Sequence, residues 1–157
     1  MAKYTITHTC GHTEEVQLFG KMEDRERKIK WLESQECDEC RKAKANAEAA
    51  AAKEARGLAD LEGSEKQIAW ANTIRENAYK ALECLIPFST NEKTQAMMDG
   101  WKATMDAKLE AKWWIDNRYD MPKPFDFSSY ENIPAKKAGM EKMAAGTVVR
   151  EFINLFK

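Results

Sequence analysis

Two pairs of side chains in this sequence could do metal chemistry: Cys10 with His12, and Cys37 with Cys40. Zinc takes four nitrogen or sulfur ligands in a tetrahedron, and a structural zinc site closes with protein ligands alone. The two pairs supply that number. Three thiolates and one neutral imidazole around Zn2+ would leave a net charge of about −1. The expected cofactor is therefore structural Zn2+ on Cys10, His12, Cys37 and Cys40. His8 competes for the nitrogen position, because His8, Cys10 and His12 alternate. His12 is preferred, since the intervening Gly11 suits a turn that brings both neighbours to one metal.

Other chemistries fit less well. A CxxC spacing also serves redox pairs, but no βαβ pattern surrounds Cys37-Asp38-Glu39-Cys40. A catalytic zinc keeps one position open beside a carboxylate base. Asp38 and Glu39 are near, but all four positions are already filled. No Ser-His-Asp pattern, phosphate-cradling glycine loop or HExxH occurs, so no catalytic residue is expected. Cys84 has no spaced partner and sits in an apolar helical stretch, where a small buried hydrophobe is the simplest role.

The elements that must position the pairs are legible in outline. Residues 3–20 alternate like a β-hairpin, with Cys10-Gly11-His12 as its turn. A short charged helix is expected over 23–34. Cys37 and Cys40 then open an alanine-rich helix that reaches Arg56. Between Ala43 and Ala55 it carries no large apolar side chain, so it stands in solvent or packs very closely. Residues 57–63 read as a linker.

Ser64 with Gln67 forms a capping-box pattern for the next helix, and Pro87 stops it. Ser89 with Glu92 predicts the start of a longer helix running to about residue 118. Its apolar side would carry Met97, Met98, Trp101, Met105, Leu109 and Trp113. Residues 121–133 form a Pro- and aromatic-rich loop, and Pro134 opens a final helix. The expected fold is mostly α. A zinc-bound β-hairpin and helix module occupies 1–57, and a three- to four-helix unit occupies 64–157.

A CGH turn, a return strand and a CxxC at a helix start resemble a treble-clef or zinc-ribbon-like finger. Such fingers hold a fold together and present surfaces to nucleic acid or protein, which is what the resemblance implies for residues 10–40. The segments 63–71 and 111–118 resemble stretches of uncharacterised small bacterial proteins, often from phage or plasmid contexts. That resemblance implies no activity.

Composition narrows the function further. The chain has 157 residues, 43% of them hydrophobic, with 25 basic and 26 acidic side chains and a net charge of −1. A strongly basic nucleic-acid protein is disfavoured. No run of eighteen apolar residues exists, so no membrane partner is expected. No export signal is visible, and the thiol-rich finger suits a reducing cytoplasm.

Arg25, Arg27, Lys28, Lys30, Arg41, Lys42 and Lys44 flank the metal pairs, but interleaved acids suggest a solvated surface. Helically spaced Trp and Met suggest core. Of the adjacent Trp113 and Trp114, one could face a partner. The expected function is non-enzymatic: a binding or adaptor module for a protein partner. It could be an accessory of a mobile element or an inhibitor of host defence. DNA or RNA binding is the alternative.

Overall fold

The computed structural model describes residues 2–156. Helix accounts for 63% of the structure, and among the described residues the one sheet is a two-stranded antiparallel hairpin. The mostly α expectation is met. The chain divides into two compact units, Met1–Ala47 and Glu48–Lys157.

In the first unit, strands β1 (Ala2–Thr7) and β2 (Thr13–Leu18) pair with Thr7 opposite Thr13 and Tyr4 opposite Val16. Side chains alternate across the strand, so Tyr4, Ile6 and His8 share one face. Ile6 is wholly buried and His8 nearly so, while Lys3, Thr5 and Thr7 face solvent. Residues 8–12 form the connecting loop. Gly11 adopts φ +81°, a conformation glycine takes without a Cβ penalty. The Gly11 amide donates to the His8 carbonyl, and the His8 amide donates to the His12 carbonyl, each at 2.9 Å.

Helix α1 (Met22–Glu33) carries Glu23 and Asp24 in its first turn and Lys30 in its last, matching the helix dipole at both ends. None of its residues is buried. It packs against β1. Helix α2 (Asp38–Ala55) begins just after Cys37, and the division between the units falls inside it. Ala49 is its one buried residue. A helix of small side chains removes little apolar area from water, in line with its sequence.

The second unit holds the apolar core. Helix α3 (Glu65–Glu83) starts at the Ser64–Gln67 capping box that the sequence marks. Helix α4 (Glu92–Asp106) differs from expectation at both ends. Its cap is Asn91, which pairs reciprocally with Thr94. Ser89 instead closes a short 3-10 turn, its amide donating to the Ile86 carbonyl at 3.1 Å.

The long helix expected to reach residue 118 breaks after Asp106, and helix α5 (Ala111–Asp116) follows separately. The break has a local cause. The Leu109 carbonyl accepts from the Glu62 amide at 2.8 Å, and the Glu62 carbonyl accepts from the Ala111 amide at 2.9 Å. The Lys108 carbonyl accepts from Trp114 Nε1 at 2.9 Å. Groups that would continue a helical ladder are committed elsewhere.

Helix α6 (Pro134–Leu155) opens on Pro134 as expected. Phe152 and Trp114 are wholly buried, and Trp101 stacks on Phe152 with ring centres 5.0 Å apart. Of the two adjacent tryptophans, Trp114 is core. Trp113 is half-buried, edge-on to Trp114 and parallel to Phe156.

A buried polar cluster accompanies this core, and nothing in the hydrophobic pattern announces it. Arg75 donates to the Ala59 carbonyl at 3.0 Å and to Asn72 Oδ1 at 2.9 Å. Glu76 is 8% exposed and holds Arg56 and Lys80, while the Tyr79 hydroxyl donates to Asp106. Each buried charge has a partner, which is the condition under which such groups are tolerated.

Candidate metal centre

The loop and the helix start bring the four ligand-type side chains together. One donor atom from each of Cys10, His12, Cys37 and Cys40 lies within 4.8 Å of the other three. His12 Nδ1 stands 3.2 Å from Cys40 Sγ and 3.5 Å from Cys37 Sγ. Zinc bonds of about 2.3 Å to sulfur and 2.0 Å to nitrogen imply a sulfur–nitrogen tetrahedral edge of about 3.5 Å. The two sulfur–nitrogen separations, 3.2 and 3.5 Å, lie close to that edge. The donor set and its spacing fit a tetrahedral metal ion held by protein ligands alone.

The hairpin loop positions the first pair. Thr7 and Thr13 close the strands, Cys10 sits at the tip, and Gly11 turns the chain so that His12 follows on the same side of the loop. The start of α2 positions the second pair. Cys37 precedes the helix, and its Sγ accepts from the Cys40 amide at 3.4 Å. The sulfur thus stands where a capping oxygen normally sits, while the Cys37 carbonyl accepts from the Arg41 amide at 3.0 Å. One helical turn returns Cys40 to the same face as Cys37. The Cys37 amide in turn donates to Cys10 Sγ at 3.4 Å, across the two pairs.

These amide–sulfur contacts set the electrostatics. The Cys37 and His12 amides stabilise a thiolate at Cys10 and hold its pKa down at about 6. Cys40 moves the other way, up to about 12, chiefly through its contact with the Cys37 sulfur, then through burial and the nearby Cys10. Clustered sulfurs resist carrying several negative charges at once. A divalent cation among them removes that resistance.

His8, the competing ligand, lies outside the cluster. It is 6% exposed, and its Nδ1 lies 3.1 Å from the Leu32 carbonyl oxygen and 3.2 Å from that of Gln35. Both neighbours only accept, so Nδ1 carries a proton and donates. Nε2 lies 3.1 Å from Glu14 Oε1, close but poorly aligned for a hydrogen bond. Burial lowers the His8 pKa, but the Glu14 and carbonyl contacts raise it by more, so the net shift is upward. The sequence could not distinguish His8 the ligand from His8 the clamp, because its partners are backbone carbonyls.

The flanking basic residues are partly spoken for. Arg27 pairs with Asp24 at 2.9 Å, and Arg41 pairs with Asp38. Lys28 lies over the Trp31 ring, 3.8 Å from its centre. Cys84, the fourth cysteine, belongs to the second unit. Its thiol lies 3.7 Å from the Phe125 carbonyl. None of the four cysteines is in a disulfide.

The site defines a Cys3His metal-ligand cluster on a hairpin-and-helix frame, consistent with a zinc-finger-like N-terminus. No protein-family model matches the chain, and no curated protein or solved structure matches it. Among the described residues, no helix is long and apolar enough to cross a membrane.

Proposed function

We propose that the protein is a non-enzymatic zinc protein whose ion is structural, and that it serves as a binding or adaptor module for a protein partner. The observation that carries the zinc assignment is the four-donor cluster. All four tetrahedral positions have a protein ligand, so no position remains for an activated water. Zinc would cross-link the hairpin loop to the start of α2, and its binding energy would act as folding energy.

Surface chemistry supports the partner assignment. Phe19 and Trp31 are exposed on the first unit, and Trp70 and Tyr119 on the second. Aromatic side chains are the residues most often anchored in protein interfaces. The pairing of Arg27 and Arg41 with carboxylates weighs against a phosphate-binding face. Reduced cysteines suit a reducing cytoplasm, and a role accessory to a mobile element or against host defence belongs to the same class of module.

The test combines metal analysis with binding. One zinc per chain is expected in purified protein. No retention on duplex or single-stranded DNA is expected at low salt. Strong retention that falls steeply with added salt would replace the protein-partner reading with the nucleic-acid one.

A further inference from the structure

We infer that His8 is a positioning residue for the metal centre: without touching the metal, it fixes the distance between the two ligand pairs. The inference rests on the zinc reading above and assigns that site a fifth functional side chain. The geometry is specific. Cys10 lies two residues after His8, and Cys37 lies two residues after Gln35. The His8 ring donates to the carbonyls of Leu32 and Gln35, and the Thr9 amide also donates to the Gln35 carbonyl, at 3.1 Å.

Three contacts therefore join the segment leading into the first pair to the segment leading into the second. The ring is buried, so water does not compete for them. Glu14, on the return strand, lies 3.1 Å from the opposite nitrogen. His8 is also the last member of the inward face begun by Tyr4 and Ile6. Its ring thus reports the register of the hairpin to the end of α1.

A residue that only shapes its neighbours should change how tightly the metal binds, not what the metal sees. The full-length chain is stripped of metal and titrated with Co2+, and with Zn2+ against a chromophoric chelator. Wild type, His8→Leu, His8→Asn and Cys40→Ser are compared. Leu fills the space but donates nothing. Asn retains an N–H near the Nδ1 position. His8→Leu is expected to bind 10- to 100-fold more weakly, the usual loss when a supporting partner of a ligand is removed. At saturation its cobalt ligand-field bands should coincide with wild type. Cys40→Ser should shift them, since a ligand is lost. His8→Asn should recover at least about threefold of the affinity lost by Leu, the worth of one retained hydrogen bond.

Wild-type affinity in His8→Leu would overturn the inference, as would a shifted spectrum, which would make His8 a ligand. Asn performing no better than Leu would reduce the role to filling space and also overturn it. Should His8→Leu stay unfolded at saturating metal, His8→Asn decides. A native cobalt spectrum there supports the donor role, and an unfolded chain refutes it. Wild type that binds neither ion is a separate result, which refutes the zinc reading itself.

Discussion

Removing the metal should unfold the first unit and leave the second intact. Within residues 2–47, the buried side chains are Ile6, His8 and Cys37. Complete burial of one isoleucine contributes roughly 1.5–3 kcal/mol. A lone two-stranded hairpin is marginal in water, and α1 contributes no buried residue of its own. Structural zinc in small finger modules contributes about 10–16 kcal/mol at neutral pH. On the zinc reading, the ion term would exceed the apolar term several-fold, and the hairpin and the start of α2 would depend on it.

The second unit has a core of a different size, with Trp114, Phe152 and Met105 wholly buried. Hydrogen exchange followed by mass spectrometry, with and without a strong chelator, reads both units at once. Protection over 2–18 should collapse on chelation, while protection in α3, α4 and α6 should stay within about twofold, because unfolding is local. A hairpin that stays protected after the metal has left would refute the argument that zinc, rather than packing, holds this unit together.

Four further outcomes are expected. Trp114→Ala should cost about 3–5 kcal/mol in denaturant unfolding, because it empties a buried site and orphans the Lys108 carbonyl. Trp70→Ala, half-exposed, should cost about 1 kcal/mol or less. Asp106 gives a pH test. Burial raises its pKa, but the Lys102 and Tyr79 hydrogen bonds lower it by more, so the folded value is depressed. Its stabilisation is therefore present above the ordinary aspartate pKa and lost as pH falls through the folded value. Asp106→Asn should be less stable than wild type at pH 6, with the gap closing toward pH 3 in urea midpoints. Gly63→Ala should lower stability by about 1–3 kcal/mol in the same assay, since φ is +153° and the new Cβ would lie 3.1 Å from Ala111 Cβ.

The features legible in the sequence were those with local causes. The Ser64–Gln67 box, Pro134 at a helix start and the CGH turn with its CxxC all act within a few residues, and each appears where its chemistry places it. The break that ends α4 early depends on a distant partner, and the shift of its start on a neighbouring turn. Residues 107–110 have an apolar pattern that continues a helix, but the backbone at Glu62 claims their neighbourhood instead. Leu109, expected on an inner face, is 37% exposed for that reason. Ser89 resembles a cap as well as Asn91 does. The preceding 3-10 turn occupies its amide and shifts the start to Asn91, which is held extended at φ −148°. Arg75 and Glu76 are charged letters in an apolar stripe, and only the folded partners reveal why they are buried.

The bridge between Glu62 and the segment 109–111 is made wholly from main-chain atoms. No side chain carries it, so both Glu62 and Glu110 remain free to drift in identity while the tie persists. A mutational scan would pass over them almost silently, with proline at 62 or 111 as the exception, because proline alone deletes the donor. A knot that stitches together positions 47 to 49 residues apart would thus leave almost no trace in amino-acid preference.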